Sequence, residues 1–275
     1  MTYLEKFNLE GKTALITGAA GLLGPEHAKA LLEVGCKVIL TDISLSKINL
    51  IKSIFDNKNC LFEILDVTSE KSVLELYNRL ISKSIPIDIL INNAAINPKV
   101  NKSIELSFDS SRLENFNIKE WDNQLNVGLK GAFLCSKVFG SHMACTLGGG
   151  VILNVSSDLS VISPDQRLYE NPNVDKSKQK VKPITYSVIK TGLIGMTKYL
   201  ATYWAKDNVR CNAISPGGVF AHQDKIFIDR LNKQIPLGRM AFQDEYRSAI
   251  QFLCSNASSY MNGHNFVMDG GRSIW

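Results

Sequence analysis

Residues 12–24 read Lys12-Thr13-Ala14-Leu15-Ile16-Thr17-Gly18-Ala19-Ala20-Gly21-Leu22-Leu23-Gly24. Residues 12–17 form a short apolar run, which predicts a buried strand. Residues 22–34 predict a helix, and glycines 18, 21 and 24 punctuate the join. A strand that enters a helix through a glycine-rich turn lets the backbone approach a pyrophosphate. The helix N-terminus offers free N–H groups and a positive dipole end to the same anion. The expectation is a dinucleotide cradle near the start of the chain.

The same alternation continues outward from this stretch. Strands are predicted over residues 37–41, 61–65, 87–91, 151–155, 209–214 and 265–268. Helices are predicted over residues 45–55, 69–82, 121–146, 186–205 and 243–254. Continuous apolar strands separated by helices imply a parallel sheet covered on both faces. The fold class is therefore α/β, a Rossmann-like doubly wound sheet in three α/β/α layers. A length of 275 residues fits one domain spanning 1–275. Two polar inserts, 97–119 and 164–183, exceed the usual connection length. Both follow predicted strand C-termini, the edge of such a sheet where ligands bind.

The net charge of +5 comes with no dense Lys/Arg run, so a solvated surface explains it and nucleic-acid binding is not indicated. No apolar stretch reaches membrane-spanning length and the N-terminus has no signal-peptide core, which points to a cytoplasmic protein. The six cysteines form no CxxC pair and none stands at zinc spacing with a histidine. His27, His142, His222 and His264 are scattered, so no metal site is expected.

The cofactor can be read from charge. The second predicted strand runs KVILTD and ends at Asp42, eighteen positions after Gly24. An acid there accepts hydrogen bonds from the adenosine ribose hydroxyls and repels a 2′-phosphate. No Arg or Lys stands in the glycine turn or just after Asp42. The expectation is NAD rather than NADP.

Tyr186 and Lys190 form Y-x-x-x-K at the start of a predicted helix, a spacing that places both side chains on one helical face. A free tyrosine, with a pKa of about 10, is a poor base at neutral pH. A nearby ammonium stabilises the phenolate and fits the tyrosine for proton transfer at a carbonyl or alcohol oxygen. Alone, the pair is an ordinary helical spacing. It stands in order with Thr17-Gly18…Gly24, Asn92-Asn93-Ala94-Ala95, Asn126, Ser156-Ser157, Pro216-Gly217 and Met268-Asp269-Gly270-Gly271. That combination, over nearly the whole chain, resembles the short-chain dehydrogenase/reductase family.

The resemblance implies roles. Tyr186 would be the general acid/base, and Lys190 would bind the nicotinamide ribose and lower the tyrosine pKa. Ser157 would hydrogen-bond the substrate oxygen, and Asn126 would hold a water relaying protons through Lys190. Gly18, Ala20, Gly21, Leu22, Leu23 and Gly24 would cradle the cofactor. Asp42, Ile43, Asp66, Val67, Asn93, Ala94 and Ala95 would line its adenosine half, and Pro216, Gly217 and Val219 its nicotinamide pocket. Long helices in this family commonly pack subunits together, which implies a homodimer or homotetramer.

Three positions depart from the family pattern. Leu22 stands where glycine is usual, and Ala221 where threonine is frequent. Ser157 and Tyr186 are 29 positions apart rather than near thirteen. The excess must loop out between them. Tyr169 lies nearer the usual spacing, but Asn173 occupies its +4 position, so Tyr169 is not the expected base. The excess loop is polar, with net charge +2 over 165–182. It suits a hydroxylated or phosphorylated, sugar-like substrate. Arg167 is placed to grip an anion and Tyr169 to line the pocket, against the alternative of a solvated lid. The inserts also resemble those of family members associated with bacterial surface-sugar or flagellin-glycan synthesis. The expected function is hydride transfer between NAD and a secondary alcohol or carbonyl of a polar small molecule. The competing readings are a non-catalytic NAD-binding regulatory module and a lyase or epimerase using bound NAD transiently.

Overall fold

The computed structural model describes residues 2–55, 57–97 and 111–275. Its seven strands are β1 (Thr13–Ile16), β2 (Lys37–Asp42), β3 (Cys60–Ile64), β4 (Ile89–Asn92), β5 (Gly150–Val155), β6 (Val209–Pro216) and β7 (Asn265–Met268). They form one parallel sheet in the order β3-β2-β1-β4-β5-β6-β7. The α-helices are α1 (Gly24–Glu33), α2 (Leu45–Lys52), α3 (Glu70–Ser82), α4 (Ile118–Leu125), α5 (Gly131–Cys135), α6 (Ile184–Tyr203), α7 (Lys225–Asn232) and α8 (Arg247–Cys254). This is the expected α/β architecture. The insert predicted at 97–119 falls largely on residues 98–110, which lie outside the described residues.

Alternation within each strand feeds both layers. Ala14, Ile16, Val38 and Leu40 enter one buried cluster with Leu31 of α1 and Ile250 and Leu253 of α8. Leu15, Ile39, Leu90 and Ile152 enter the other, with Leu76 of α3, Phe139, and Leu200 of α6. Each of these Leu, Ile, Val and Phe side chains taken from water contributes roughly 1.5–3 kcal/mol. That two-sided burial is why the strands read as continuous apolar runs.

Boundaries differ from expectation where side chains intervene. The fourth strand begins at Ile89, because the Asp88 carboxylate instead accepts the Thr13 N–H at 2.9 Å and Lys12 at 2.8 Å. The helical stretch expected at 121–146 starts earlier, at Ile118, where the Asn117 side chain caps the Lys119 N–H. Within it, Asn126–Lys130, Ser136–Gly140 and Met143–Leu147 are π-helical turns, and Gly148 at φ +67° ends it. Helix α7 has no counterpart among the predicted elements. It is short, and its apolar face fits only the cluster formed with the 164–183 loop (Leu168, Leu231, Ile235, Met240). Five of the six cysteines are buried and free, as buried apolar residues. No described helix is long and apolar enough to cross a membrane.

The parallel topology gathers chemistry on one edge. Thr17-Gly18, Asp42, Asn92-Asn93, Ser156-Ser157 and Pro216-Gly217 all stand at or just beyond strand C-termini. Strand order reverses between β1 and β4, which opens a crevice there. Gly24 holds α1 close against the end of β1, since a Cβ at this position would lie 2.3 Å from the Ala19 carbonyl oxygen. Gly24→Ala should therefore destabilise the fold by about 1–3 kcal/mol, measured as a lower urea midpoint at unchanged m; an unchanged midpoint would show that the helix can retreat without cost.

Candidate active site

The turn after β1 is held by its neighbours. The Thr17 hydroxyl accepts the N–H groups of Asn93 and Ala94, both at 3.0 Å. The Asn93 amide donates back to the Thr17 and Gly18 carbonyls at 3.1 and 2.9 Å. Gly18 has φ +60°, and a Cβ there would meet Ala94 Cα at 2.7 Å. Asn93 and Ala94 thus brace the turn. Among the described residues, the backbone N–H groups of Leu22 and Leu23 at the α1 N-terminus form no hydrogen bond. Free donors beside a positive helix end are what a pyrophosphate needs. The Leu22 side chain is 45% exposed, so it points outward and leaves the backbone approach open.

Asp42 is buried at the end of β2. Its carboxylate accepts the N–H of Ala20 at 3.1 Å and of Ile43 at 2.8 Å, and Lys47 stands 3.4 Å away. Lys47 was not singled out in the sequence because five positions and the start of α2 separate it from Asp42. Asp66 accepts both the Thr68 N–H and hydroxyl, at 2.9 and 2.7 Å. Val67 is buried where Gly131 leaves room for it. Gly217 packs on the β7 end, where a Cβ would meet Asp269 Cα at 2.7 Å, and Val219 pairs with Ala241. The glycine turn, the free amides and the acid of β2 fit a dinucleotide.

The loop between Ser157 and Tyr186 brings the two side chains into electrostatic reach across 29 positions. Burial pushes the phenol up to about 12; the Ser157 hydroxyl opposes that shift and the Asp158 charge adds to it. Lys190 lies 5.6 Å from the Tyr186 ring centroid and donates to the Val155 carbonyl at 2.7 Å. Burial, reinforced by Lys182, lowers Lys190 to about 8. For this buried tyrosine, desolvation outweighs the attraction of the ammonium that the sequence led us to expect. Asn126 opens the first π-helical turn, its carbonyl accepting the Gly131 N–H. Asn126 makes no hydrogen bond to Lys190; it lines a groove of about 370 Å³ with Leu125, Leu129, Phe133 and Met196.

Two predicted substrate residues diverge. Arg167 is tied back to Asp165 by two bonds of 2.8 Å, and its side chain is 80% exposed. It is not drawn into the site, because its own loop supplies a nearer carboxylate. Tyr169 is half-buried against Phe227 of α7, and burial pushes it up to about 12; the charges of Arg272, Tyr186 and Asp158 all reach it. It stands at the margin of the site.

The sequence did not reveal the charges behind Ser157. The Ser157 hydroxyl donates to Asp158 at 2.8 Å, and Arg272 pairs with the other Asp158 oxygen at 2.6 Å, both side chains buried. Arg272 also reaches Gln234, which donates to Asp165 at 2.6 Å. The Asp269-Gly270-Gly271 turn delivers Arg272: Asp269 accepts the Gly271 and Ser273 N–H groups, and both glycines have positive φ. Lys182 also escaped notice as one of several loop lysines. Its ammonium lies 3.8 Å over the Tyr186 ring and donates to Asn97 at 2.7 Å.

A family model described as enoyl-(acyl carrier protein) reductase, of the short-chain dehydrogenase/reductase type, matches residues 18–273. The chain is a short-chain dehydrogenase/reductase. As such it is an NAD(P)-dependent oxidoreductase. It is 29% identical to an NAD-dependent glycerol dehydrogenase of Listeria innocua, covering 98% of this chain and 97% of that one. It is 30% identical to a D-threitol dehydrogenase of Mycolicibacterium smegmatis, covering 98% and 95%. Its fold superimposes with a TM-score of 0.85 on a gluconate 5-dehydrogenase from Burkholderia cenocepacia in complex with NADP and tartrate, 26% identical over the whole of both chains.

Arg272→Met should cost about 3–5 kcal/mol, because it strands the Asp158 carboxylate in the interior. Adding Asp158→Asn should recover part of the loss, measured by urea unfolding of both variants; no recovery would mean that Arg272 contributes by packing alone.

Proposed function

We propose that this short-chain dehydrogenase/reductase is an NAD-linked enzyme that interconverts a secondary alcohol and a ketone on a small polyhydroxy compound. The observation that carries this reading is the Lys190 ammonium 5.6 Å from the Tyr186 ring centroid, with Ser157 brought within electrostatic reach of the same phenol across a long excursion. Bound in the crevice, the nicotinamide supplies or accepts the hydride. Ser157 and Tyr186 meet the substrate oxygen. With its proton held by burial, the Tyr186 phenol is a donor to a carbonyl oxygen in the reductive direction. In the oxidative direction the Lys190 ammonium beside the ring favours the phenolate that takes the alcohol proton. Arg272 balances the Asp158 charge next to these groups.

Asp42 supports NAD over NADP. A 2′-phosphate would meet a buried carboxylate already held by two backbone N–H groups, and Lys47 offers only an exposed ammonium against it. The glycerol dehydrogenase relative is NAD-dependent, while the gluconate 5-dehydrogenase structure holds NADP. The polyhydroxy substrate class rests on the glycerol, threitol and gluconate dehydrogenases among the relatives, and on the polar loop at 164–183. We further propose that residues 1–275 act as one cytoplasmic catalytic unit. The half-exposed Phe133, with Leu125, Leu129 and Met196 along one groove, supports association into a homodimer or homotetramer.

Tyr186→Phe should lower kcat by about a hundredfold or more while NADH affinity, read by fluorescence titration, stays within a few-fold; retained turnover would remove Tyr186 from the chemistry, and a non-catalytic binding module would show no turnover in either protein. Separately, Asp42→Ala should shift the NAD/NADP ratio of kcat/KM toward NADP by at least about tenfold, roughly 1.4 kcal/mol. An unaltered ratio would mean that Asp42 does not read the ribose.

A further inference from the structure

We propose that Lys182 is a receptor for an anionic group on the substrate, so that the enzyme acts on a polyhydroxy compound bearing a carboxylate or a phosphate. This deepens the dehydrogenase reading above and rests on it.

Around Tyr186 stand the carboxylate of Asp158 and the cations of Arg272, Lys190 and Lys182. Asp158 is matched by Arg272 at 2.6 Å. Lys190 is spent on the Val155 carbonyl and belongs to the tyrosine pair. Lys182 is left over. Among the described residues it faces no carboxylate within ion-pair distance, and its ammonium donates to the neutral Asn97 amide oxygen. It hangs 3.8 Å over the face of the ring whose hydroxyl meets the substrate oxygen. The two arginines at the loop are occupied elsewhere. Arg167 is closed on Asp165, and Arg230 of α7 donates to the carbonyls of Arg167, Leu168 and Glu170.

Lys182 is half-buried, and a partly desolvated ammonium without a counter-charge gains from an arriving anion. Burial lowers Lys182 to about 8, with Asp158 giving only partial relief. A cation–π contact of this kind offsets about 1–2 kcal/mol at most. A carboxylate or phosphate arriving with the substrate would supply the missing charge through a charge-assisted hydrogen bond, the stronger kind. The placement is also held firm. The backbone N–H of Lys182 donates to Gln166 at 2.8 Å, and the Gln166 amide returns to the Lys182 carbonyl at 3.2 Å. Next to it, the Val181 N–H donates to the Ser111 hydroxyl at 3.1 Å. Pro183 then starts α6, which carries Tyr186. Lys182 and Tyr186 are thus carried by one short piece of backbone, which sets the anion close to the reacting carbon.

The test is calorimetric titration of the enzyme–NADH complex with two matched pairs, D-gluconate against sorbitol and glycerol 3-phosphate against glycerol. We expect at least one anion to bind tenfold or more tighter than its neutral partner, and the pair that shows this tells carboxylate from phosphate. Lys182→Met should bring that ratio toward one, and Lys182→Arg should keep it. NADH affinity of each variant checks that it has folded. Equal binding of anion and neutral partner by the native enzyme would overturn the proposal, as would a ratio that survives Lys182→Met. A third contrary result is an unchanged ratio with a Lys182→Met turnover profile displaced to higher pH, which would make Lys182 a tuner of Tyr186 instead. Failure of NADH to bind the native enzyme would be a different result: it would remove the dehydrogenase reading itself, and the inference with it.

Discussion

The Asp158 carboxylate stands out of water directly after Ser157, and the pairing with Arg272 is what makes that position tenable. Asp158 and Arg272 are 114 residues apart in the chain, so the pair joins the end of β5 to the last turn after β7. Through Gln234 and Asp165 the same charges reach the loop that covers the site. Ser157 gains an oriented hydroxyl, and Tyr186 gains a neighbour whose charge Arg272 offsets in part. Remove either partner and the interior keeps a charge with nothing to balance it. The C-terminal Met268-Asp269-Gly270-Gly271 segment acquires a physical meaning here: its two left-handed glycines turn the chain so that Arg272 reaches back to Asp158, next to Ser157.

Two segments of the site then differ in how they are held. The glycine-turn crevice is braced by two adjacent strand ends. Thr17, Asn93 and Ala94 lock the end of β1 to the end of β4, and little freedom remains for the turn. The 164–183 loop is braced by side chains from several parts of the chain. Arg230 clasps three carbonyls of the 164–183 loop, while Gln166, Ser111 and Asn97 hold its far end. This division suits an enzyme that binds a constant cofactor and a substrate set by its own loop. The two lysines near Tyr186 divide in the same way: Lys190 sits one helical turn along α6 and serves the tyrosine, while Lys182 arrives with the loop.

How much of this could be read without coordinates follows from the range of each interaction. Tyr186–Lys190 is local, one turn of one helix, and the strand–turn–helix at 12–24 is local too. Asp42 ends its strand wherever the sheet is placed. The Ser157–Tyr186 pairing was legible only through family resemblance, since nothing local says that a loop of this length closes. Arg167 misled because a guanidinium in a polar loop looks available until its neighbour Asp165 is seen to hold it. Helix α7 was missed because eight residues with a narrow apolar face carry a weak period, and the partner surface is the loop itself.

The sequence by itself determined the layered α/β sheet, because burial on both faces demands continuous apolar strands of a few residues each, and that pattern is written residue by residue. It determined the glycine turn, the acid at the end of β2 and the tyrosine–lysine pair, because each depends on spacing within one element. Only the tertiary structure decided which charges meet. Asp158 finds Arg272, Lys182 finds the Tyr186 ring without finding a carboxylate among the described residues, and Arg167 finds Asp165. Electrostatic partners are chosen by distance and by exclusion of water, and both are properties of the packed molecule rather than of the order of residues along it.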